Sequence, residues 1–366
     1  MNVKITLGVI GSLLLLSSCI KSEPLNPEAD ILSFKLPKKV VLSEAKIEGR
    51  DIFISIPKNA DVSNLTPEIE TTLGATITPK SGVPQDFSYP VEYTVVSESG
   101  KYEKKYKVIL SPYMFYESSF ETWESYRPST GKYVYETPIE RGDKGEKIPI
   151  WATSNKGVAV YQAYEDSTSY PVHSVLINGK RMARLKTDKG PGNILGIQYI
   201  PIVAGSLFTG TMNLANGITD PLSVTQFGTY CDYLPDRFVG RYRYKPGTGD
   251  YIDSEGKRWP DKKDLCAIYA VFYEVDEKLE FLDGHTILTH PNIIAITKDP
   301  HRGATEGDGL IEFDIPFEYK EDMKVDFEKK SYKLAVVFSS SYKGDAYSGT
   351  PGSEMIVDEV KIVPKN

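Results

Sequence analysis

Apolar and polar residues alternate in short runs through the first third of the chain, a pattern typical of β-strands with one buried face. The alternation is clearest in residues 102–110, and residues 91–97 precede it across a Glu-Ser-Gly turn, which predicts a β-hairpin. Prolines at positions 57, 67, 79, 84 and 90 separate further short strands. Residues 32–111 are therefore predicted to form an immunoglobulin-like β-sandwich.

The pattern remains strand-like from residue 113 to the end of the chain. Turns rich in glycine and proline separate the candidate strands, which cover residues 157–161, 181–185, 222–227, 237–244, 265–273, 293–296 and 310–319. Because strands with long connecting loops continue throughout, residues 112–366 predict one large jelly roll rather than two further domains.

Two more strands, residues 334–338 and 355–363, are predicted near the C-terminus, and a polar loop rich in Ser, Gly and Tyr joins them. Strict alternation places Ile356, Asp358, Val360 and Ile362 on one face of the second strand. If that face is the core, Asp358 is a carboxylate in an apolar row, and it requires a hydrogen-bonding or metal partner.

The N-terminus reads as a targeting segment. Lys4 precedes an apolar stretch that ends in LSSC at Cys19, which matches a bacterial lipobox. We predict a signal peptide over residues 1–18, a lipid on Cys19 that anchors the protein to the outer membrane, and a tether over residues 19–31. A plain signal peptide or a membrane span is the alternative, but a span needs about 20 apolar residues. Lys21 and Glu23 resemble surface-export signals of Bacteroidota lipoproteins, which implies the cell surface.

Composition and charge limit the classes of partner that the protein is expected to bind. The 366 residues carry a net charge of −7 without a basic stripe, so nucleic acid is not expected to bind. The 24 tyrosines outnumber the 14 phenylalanines and suit both sheet surfaces and sugar-contacting surfaces. Beyond the lipobox, the cysteines are Cys231 and Cys266, which could form a disulfide or be ordinary buried residues.

One pair of acidic residues is a candidate calcium site. Glu121 lies near the start of the large domain and Asp358 near its end. First and last strands are neighbours in jelly-roll carbohydrate modules, so the two carboxylates could share a structural Ca²⁺ with backbone carbonyls. The alternative is that each carboxylate accepts hydrogen bonds from backbone amides or tyrosine hydroxyls.

Several aromatic and polar residues are candidates for contacting a carbohydrate. Trp151 is followed by Thr, Ser and Asn155, so it could stack on a sugar ring or instead cap the sandwich core. Trp259 lies in a strongly polar segment and could be an exposed platform or fold back on the sheet. Tyr342 and Tyr347 belong to the loop between the last two strands.

Signatures of catalysis are weak. A glycosidase needs two carboxylates across the scissile bond. Asp232, Asp236, Glu274 and Asp276 are possible members, although carboxylates in such positions usually belong to solvated faces and turns. No HExxH, GxSxG, Walker or dinucleotide-binding motif is present in the sequence.

Two resemblances connect these segments. The motifs ILSF at 31–34, GATITP at 74–79, QDF at 85–87 and VEYTV at 91–95 resemble an immunoglobulin-like module that precedes the functional domain of Bacteroidota surface lipoproteins. Residues 113–363 resemble the putative carbohydrate metabolism domain of such lipoproteins through SFETW at 119–123, WATSN at 151–155, AGSLFTG at 204–210, GRYRYKPG at 240–247, DLCAIYA at 264–270 and IPFEY at 315–319.

The second resemblance implies a galactose-binding-like jelly roll with a carbohydrate-related role. We therefore expect a surface-anchored lipoprotein that binds a glycan through loop residues Trp151, Asn155, Trp259, Tyr342 and Tyr347. A glycoside hydrolase on the same fold is one alternative. A structural or adhesive surface protein is the other.

Overall fold

The computed structural model describes residues 24–365 except for residues 43, 58–59, 112–113, 128–133, 143–144, 146, 195, 197, 216, 218 and 322. The predicted signal peptide and Cys19, the predicted site of lipid attachment, lie outside the described residues. Two β-rich modules follow each other along the chain. The prediction of an all-β protein, with an immunoglobulin-like sandwich before a galactose-binding-like jelly roll, is confirmed.

The N-terminal module contains β1 Ile31–Lys35, β2 Lys46–Glu48, β3 Asp51–Ser55, β4 Glu68–Thr71, β5 Thr76–Thr78, β6 Val91–Val96 and β7 Glu103–Ser111. β1 pairs with β4, and the others form a sheet in the order β2-β3-β7-β6-β5. The predicted hairpin is β6 and β7, in which Tyr93 lies opposite Tyr106. Both tyrosines face the module's core with Val95 and Val108, as the alternation requires.

The C-terminal module contains β8 Glu117–Ser118, β9 Trp123–Tyr126, β10 Tyr135–Pro138, β11 Glu140–Arg141, β12 Lys147–Ile148, β13 Trp151–Thr153, β14 Val172–Ile177, β15 Lys180–Lys186, β16 Asp188–Ile194, β17 Gln198–Val203, β18 Ser206–Met212, β19 Thr225–Phe227, β20 Thr229–Tyr230, β21 Pro235–Lys245, β22 Tyr251–Ile252, β23 Arg258–Trp259, β24 Cys266–Val275, β25 Ile293–Thr297, β26 His301–Arg302, β27 Ile311–Tyr319, β28 Ser331–Ser339 and β29 Glu354–Pro364. It also contains helix α1 Asn155–Tyr161 and the 3₁₀ turns Ser167–Ser169, Pro221–Val224 and Gly344–Ala346.

The jelly roll is one long sheet that folds over a shared core. Its strand order is β13-β18-β28-β24-β25-β27-β21-β29-β15-β14, with β8 paired to β29. Phe338 of β28 and Phe238 of β21 meet across the core with ring centroids 5.7 Å apart. The chain start and end of this module are therefore adjacent, because Ser118 lies opposite Val360.

One predicted strand is wrong. Residues 157–161 belong to helix α1, not to a strand. The buried residues of α1 are Asn155 and Val158, one helical turn apart, and Val158 packs into a small cluster with Tyr135 and Tyr170. The apolar run was too short for its period to separate a strand from one helical turn.

The predicted facing of the last strand is also wrong. Met355 and Val357 point into the core before Asp358, whereas Val360 and Ile362 do so after it. The pairing of β29 with β21 shifts register between Val239 and Arg241, and Glu359 has a left-handed φ of +50°. This β-bulge adds one residue, so Asp358 leaves the apolar row while staying 2% exposed.

The two modules pack against each other. Phe53 of β3 and Ile109 of β7 belong to the jelly roll's core cluster, whereas their neighbours Ile52 and Val108 face the N-terminal core. The Lys46 ammonium also donates to the Pro149 carbonyl at 2.9 Å. The N-terminal module therefore forms part of the wall of the jelly roll.

Candidate functional site

An exposed hairpin carries one of the predicted ligand residues. Tyr251 of β22 lies opposite Trp259 of β23, whose indole is 42% exposed. The Trp259 Nε1–H donates to Asp253 Oδ2 at 2.8 Å, and the Lys257 ammonium lies 4.0 Å from the centre of the indole. The indole hydrogen bond holds the pKa of Asp253 below its ordinary value, so the hairpin presents a ring beside a charged acceptor.

The loop between β28 and β29 joins this hairpin. Ile252 and Gly349 exchange two backbone hydrogen bonds of 2.9 Å each. Tyr347, half-buried with a φ of +52°, accepts a hydrogen bond from Gln198 Nε2 at 3.4 Å. We call Tyr199, Trp259 and Tyr347, with the polar side chains of Gln198 and Asp253, the aromatic surface.

β17 connects the two sides of the aromatic surface. Tyr199 is 47% exposed. A Cβ added to Gly256, in the turn of the β22–β23 hairpin, would lie 2.6 Å from the Tyr199 hydroxyl. The hairpin therefore touches Tyr199 while the loop touches the adjacent Gln198, so all three aromatic residues belong to one end of the jelly roll.

A buried carboxylate that the sequence did not reveal holds this loop in place. Asp264 is 3% exposed, and its Oδ2 accepts hydrogen bonds from the Ser341 hydroxyl, the Ser353 hydroxyl and the Thr350 amide at 2.6–2.8 Å. Burial raises the pKa of Asp264, and these hydrogen bonds oppose the rise. Ser341 and Ser353 are therefore structural, whereas the half-buried Tyr347 of the same loop reaches the surface.

A second candidate region lies between the modules. A cavity of about 750 Å³ has Leu42, Lys46 and Phe53 on the N-terminal side and residues such as Thr137 and Gln226 on the jelly-roll side. Its volume falls within the usual range of small-molecule sites. We call it the interdomain cavity.

Two lysines from the jelly-roll side line the interdomain cavity. Lys156 of α1 donates to the Met212 carbonyl at 2.8 Å, and Lys333 of β28 donates to the Glu280 carbonyl at 2.8 Å. Burial lowers the pKa of both ammonium groups, and the nearby charges of Glu48 and Glu280 only partly oppose that shift. Both ammonium groups are thus incompletely compensated by the protein's own anions.

Two predicted ligand residues are buried. Trp151 is 1% exposed, packs against Phe115 and Phe120 with ring centroids 5.3 Å apart, and donates its Nε1–H to Glu140. Asn155 is fully buried, and its amide bonds the backbone of Glu136 and Val172. Neither side chain presents a surface for a sugar. Trp151 instead caps the sandwich core, and Asn155 has a structural role.

Tyr342 lies apart from the aromatic surface. Its ring is 4.9 Å from that of His301, and it packs against the outer face of the β28–β24 layer. Cys231 and Cys266 are free thiols in the jelly-roll core, and burial raises the pKa of Cys231 to about 12. The buried-residue alternative therefore describes both cysteines.

Glu121 and Asp358, the two predicted calcium ligands, interact electrostatically. Oδ1 of the buried Asp358 has no hydrogen-bond partner among the described residues. Burial raises the pKa of Asp358, and the Glu121 charge adds a smaller rise. Glu121 itself is exposed and accepts a hydrogen bond from the Arg181 amide at 3.3 Å. An unpartnered carboxylate oxygen beside a second carboxylate fits a hard cation such as Ca²⁺.

Two of the four carboxylates considered for hydrolysis have structural partners. Glu274 pairs with Lys330 at 2.8 Å, and Asp276 accepts hydrogen bonds from its own turn and from Asn292. Asp232 and Asp236 flank the start of β21, away from the interdomain cavity. Among the described residues, no group of three or more His, Cys, Asp or Glu side chains is placed to bind a metal ion. Within the same residues, no helix is long and apolar enough to cross a membrane.

Comparison with protein families gives two matches. A family model described as "Putative carbohydrate metabolism domain" matches residues 119–363. A model described as "SGBP, N-terminal" matches residues 31–109. A search of curated proteins found no match.

Two solved structures from Bacteroides resemble the chain. A putative glycoside hydrolase from Bacteroides thetaiotaomicron is 33% identical, with a TM-score of 0.80 over 94% of this chain and 99% of the other. A putative glycoside hydrolase from Bacteroides vulgatus is 28% identical, with a TM-score of 0.60 over 68% of this chain and 98% of the other.

Proposed function

Because the chain belongs to the putative carbohydrate metabolism domain family, we propose that it binds a glycan at the aromatic surface of its jelly roll. The observation that carries the proposal is the convergence of two exposed rings, Tyr199 and Trp259, with Tyr347 at one end of the module. Exposed aromatic rings can stack on the apolar faces of sugars, and the hydrogen-bonding groups beside them can bind the sugar hydroxyls.

The surface divides the recognition between two kinds of group. Lys257 occupies one face of the Trp259 indole, so a sugar ring would stack on the other face. Asp253, an ionised acceptor, and Gln198, an amide, would bind the sugar hydroxyls. Since Asp264 fixes the loop that carries Tyr347, the surface is largely organised before the ligand arrives.

Native affinity electrophoresis tests this proposal. Gels containing galactomannan, arabinoxylan or amylopectin should retard the wild-type protein in at least one case. Trp259→Ala and Tyr347→Ala should each restore most of the mobility, because truncating an aromatic anchor costs about 2 kcal/mol. Tyr102→Ala, which removes a 57% exposed ring from the N-terminal module, is the matched control. If both the Trp259 and the Tyr347 variant were retarded as the wild type is, the proposal would be contradicted.

We also propose that a lipid on Cys19 anchors the protein to the outer membrane with the jelly roll facing outward. The lipobox and the residues after it support this arrangement. Cys19→Ala should release the protein from membranes in cells labelled with a radioactive fatty acid and abolish the label. Protease added to intact cells should degrade the wild-type protein. Survival of the protein would place it inside the outer membrane.

Glycoside hydrolysis is the second candidate. The structure gives one specific observation in its favour: Glu48 of the N-terminal module and Glu280 of the jelly roll line the same interdomain cavity. Release of reducing ends from a retained polysaccharide, lost in both Glu48→Gln and Glu280→Gln, would establish it. Retention without release would leave binding as the function.

A further inference from the structure

The interdomain cavity is separate from the aromatic surface. Its lining comes from β2, β3, the start of α1, the end of β18 and β28. The aromatic surface is built by β17, the β22–β23 hairpin and the loop around Tyr347 instead. A ligand in the cavity therefore does not depend on the function proposed for that surface.

Two lysines in the lining of this cavity have spare hydrogen-bond donors. In the part of the chain that the structure describes, the ammonium of Lys156 and that of Lys333 each have one hydrogen-bond acceptor, a backbone carbonyl. An ammonium group has three N–H donors, so each has donors to spare. Lys46 differs, because it is already paired with Glu48 at 2.9 Å.

The lining of the cavity also includes three carboxylates. Glu44, Glu48 and Glu280 are exposed, so they remain hydrated. Lys333 is half-buried and Lys156 is more exposed. Desolvation nevertheless lowers the pKa of both ammonium groups, so a nearby anion interacts with each of them more strongly than in bulk water. Aromatic and polar neighbours, including Tyr230, Thr137 and Gln226, complete a lining that suits a saccharide.

We infer that the interdomain cavity binds an acidic saccharide, and that Lys156 and Lys333 hold its anionic group. A carboxylate of a uronic acid and a sulfate ester share this chemistry. The saccharide would lie between the modules, and its binding would hold the N-terminal module against the jelly roll.

Calorimetric titration of the purified soluble chain tests the inference. The probes are trigalacturonate, its fully methyl-esterified form as the uncharged counterpart, and a heparin-derived tetrasaccharide as the sulfated one. At least one anionic probe should bind, and trigalacturonate should bind at least tenfold more tightly than its ester if the carboxylate is recognised. Lys156→Met and Lys333→Met should each weaken anion binding by about tenfold, as the loss of one charge-assisted hydrogen bond predicts.

Control variants distinguish this site from the other surfaces. Lys298→Met removes an exposed lysine elsewhere, and Trp259→Ala disables the aromatic surface, so both should bind the anion as the wild type does. The lysine variants should melt no lower than the wild type, because they remove a desolvated charge. Four results would overturn the inference. The first is that neither anionic probe binds, and the second is that acid and ester bind equally while the sulfated probe does not bind. The others are unchanged affinity in both lysine variants and loss of binding in Trp259→Ala.

Discussion

The aromatic surface and the interdomain cavity present opposite chemistry to a ligand. The aromatic surface is open, and rings such as Tyr199 and Trp259 supply its contact area. The cavity is partly enclosed and has incompletely compensated ammonium groups on its walls. Stacking tolerates many sugars, because every pyranose offers an apolar face, whereas a desolvated ammonium group selects for charge. One chain can therefore carry a permissive site and a selective site.

The two regions also differ in what holds them in place. A buried polar network around Asp264 fixes the loop of the aromatic surface. Contact between modules fixes the cavity, with Phe53 reaching into the jelly-roll core. Changes to one support should therefore leave the other region intact, and the variants below test that separation.

Asp264→Ala should have the largest effect. The change leaves Ser341, Ser353 and the Thr350 amide without their acceptor, so the free energy of unfolding should fall by about 3–5 kcal/mol. Urea denaturation measures this loss. At temperatures where the variant is still folded, glycan retention should weaken more than anion binding.

Asp345→Ala is the matched control for Asp264→Ala. Asp345 belongs to the same loop, but its Oδ1 accepts a local hydrogen bond from the adjacent Ala346 amide at 2.9 Å. Its loss should cost under about 1 kcal/mol. If the two variants were equally stable, the network around Asp264 would not be what orders the loop.

Phe53→Ala should act on the cavity instead. Truncating a buried phenylalanine at the module contact should cost about 3 kcal/mol and enlarge the cavity. Denaturation and calorimetry with trigalacturonate should both report the change, while retention by the neutral polysaccharide stays near the wild-type value. The milder Phe53→Leu should lie between. If Phe53→Ala bound the anion as the wild type does, the contact between the modules would not be what holds the cavity's binding site in place.

Calcium should have a smaller effect, at a seam away from both regions. Adding CaCl₂ to protein treated with a chelator should raise the melting temperature by a few degrees if Asp358 and Glu121 hold the ion. Asp358→Asn should abolish this rise and melt at or above the calcium-free wild type, since it removes an unpartnered buried carboxylate. A calcium response that persists in Asp358→Asn would contradict the assignment.

The smallest expected effect concerns pH. His173 is buried, and its Nε2 lies 3.2 Å from an Arg184 guanidinium nitrogen, so the ring is neutral and accepts. Desolvation lowers its pKa in the folded state below the ordinary value of 6.5. The unfolded chain therefore binds the proton more tightly, and the free energy of unfolding should fall as the pH drops from 6.5 through the folded pKa.

His173→Gln is the variant that tests this titration. Gln cannot gain the proton, so the difference in stability between pH 7.5 and pH 5 should shrink relative to the wild type. An unchanged difference would assign the pH dependence to other groups.

Local pattern predicted most of the framework and little of the site. The β6–β7 hairpin and strands such as β24 follow from alternation and apolar runs, because those signals are local. The bulge at Glu359 adds one residue to β29 and so breaks the alternation. The extra residue is accommodated by pairing with β21, which is a long-range contact, so a single sequence carries no sign of it. The short helix α1 was predicted as a strand for a different reason, because its apolar run is too short to show a helical period.

The candidate residues show the same limit. Trp259 and Tyr347 were predictable as aromatic residues in polar loops, but their junction through β17 depends on long-range contacts. Asp264 reads as an ordinary acidic residue before a buried strand, and only the fold brings Ser341 and Ser353 to it. The interdomain cavity needs the packing of two modules, which strand patterns do not encode.

Fluorine NMR with 5-fluorotryptophan tests the central claim most directly. The chain has 3 tryptophans, so three resonances are expected, and Trp259→Phe identifies the one from the aromatic surface. Adding oligosaccharides of the retained polysaccharide should shift or broaden the Trp259 resonance while that of the buried Trp151 stays in place. Saturable glycan binding with an unmoved Trp259 resonance would contradict the assignment of the aromatic surface as the glycan site.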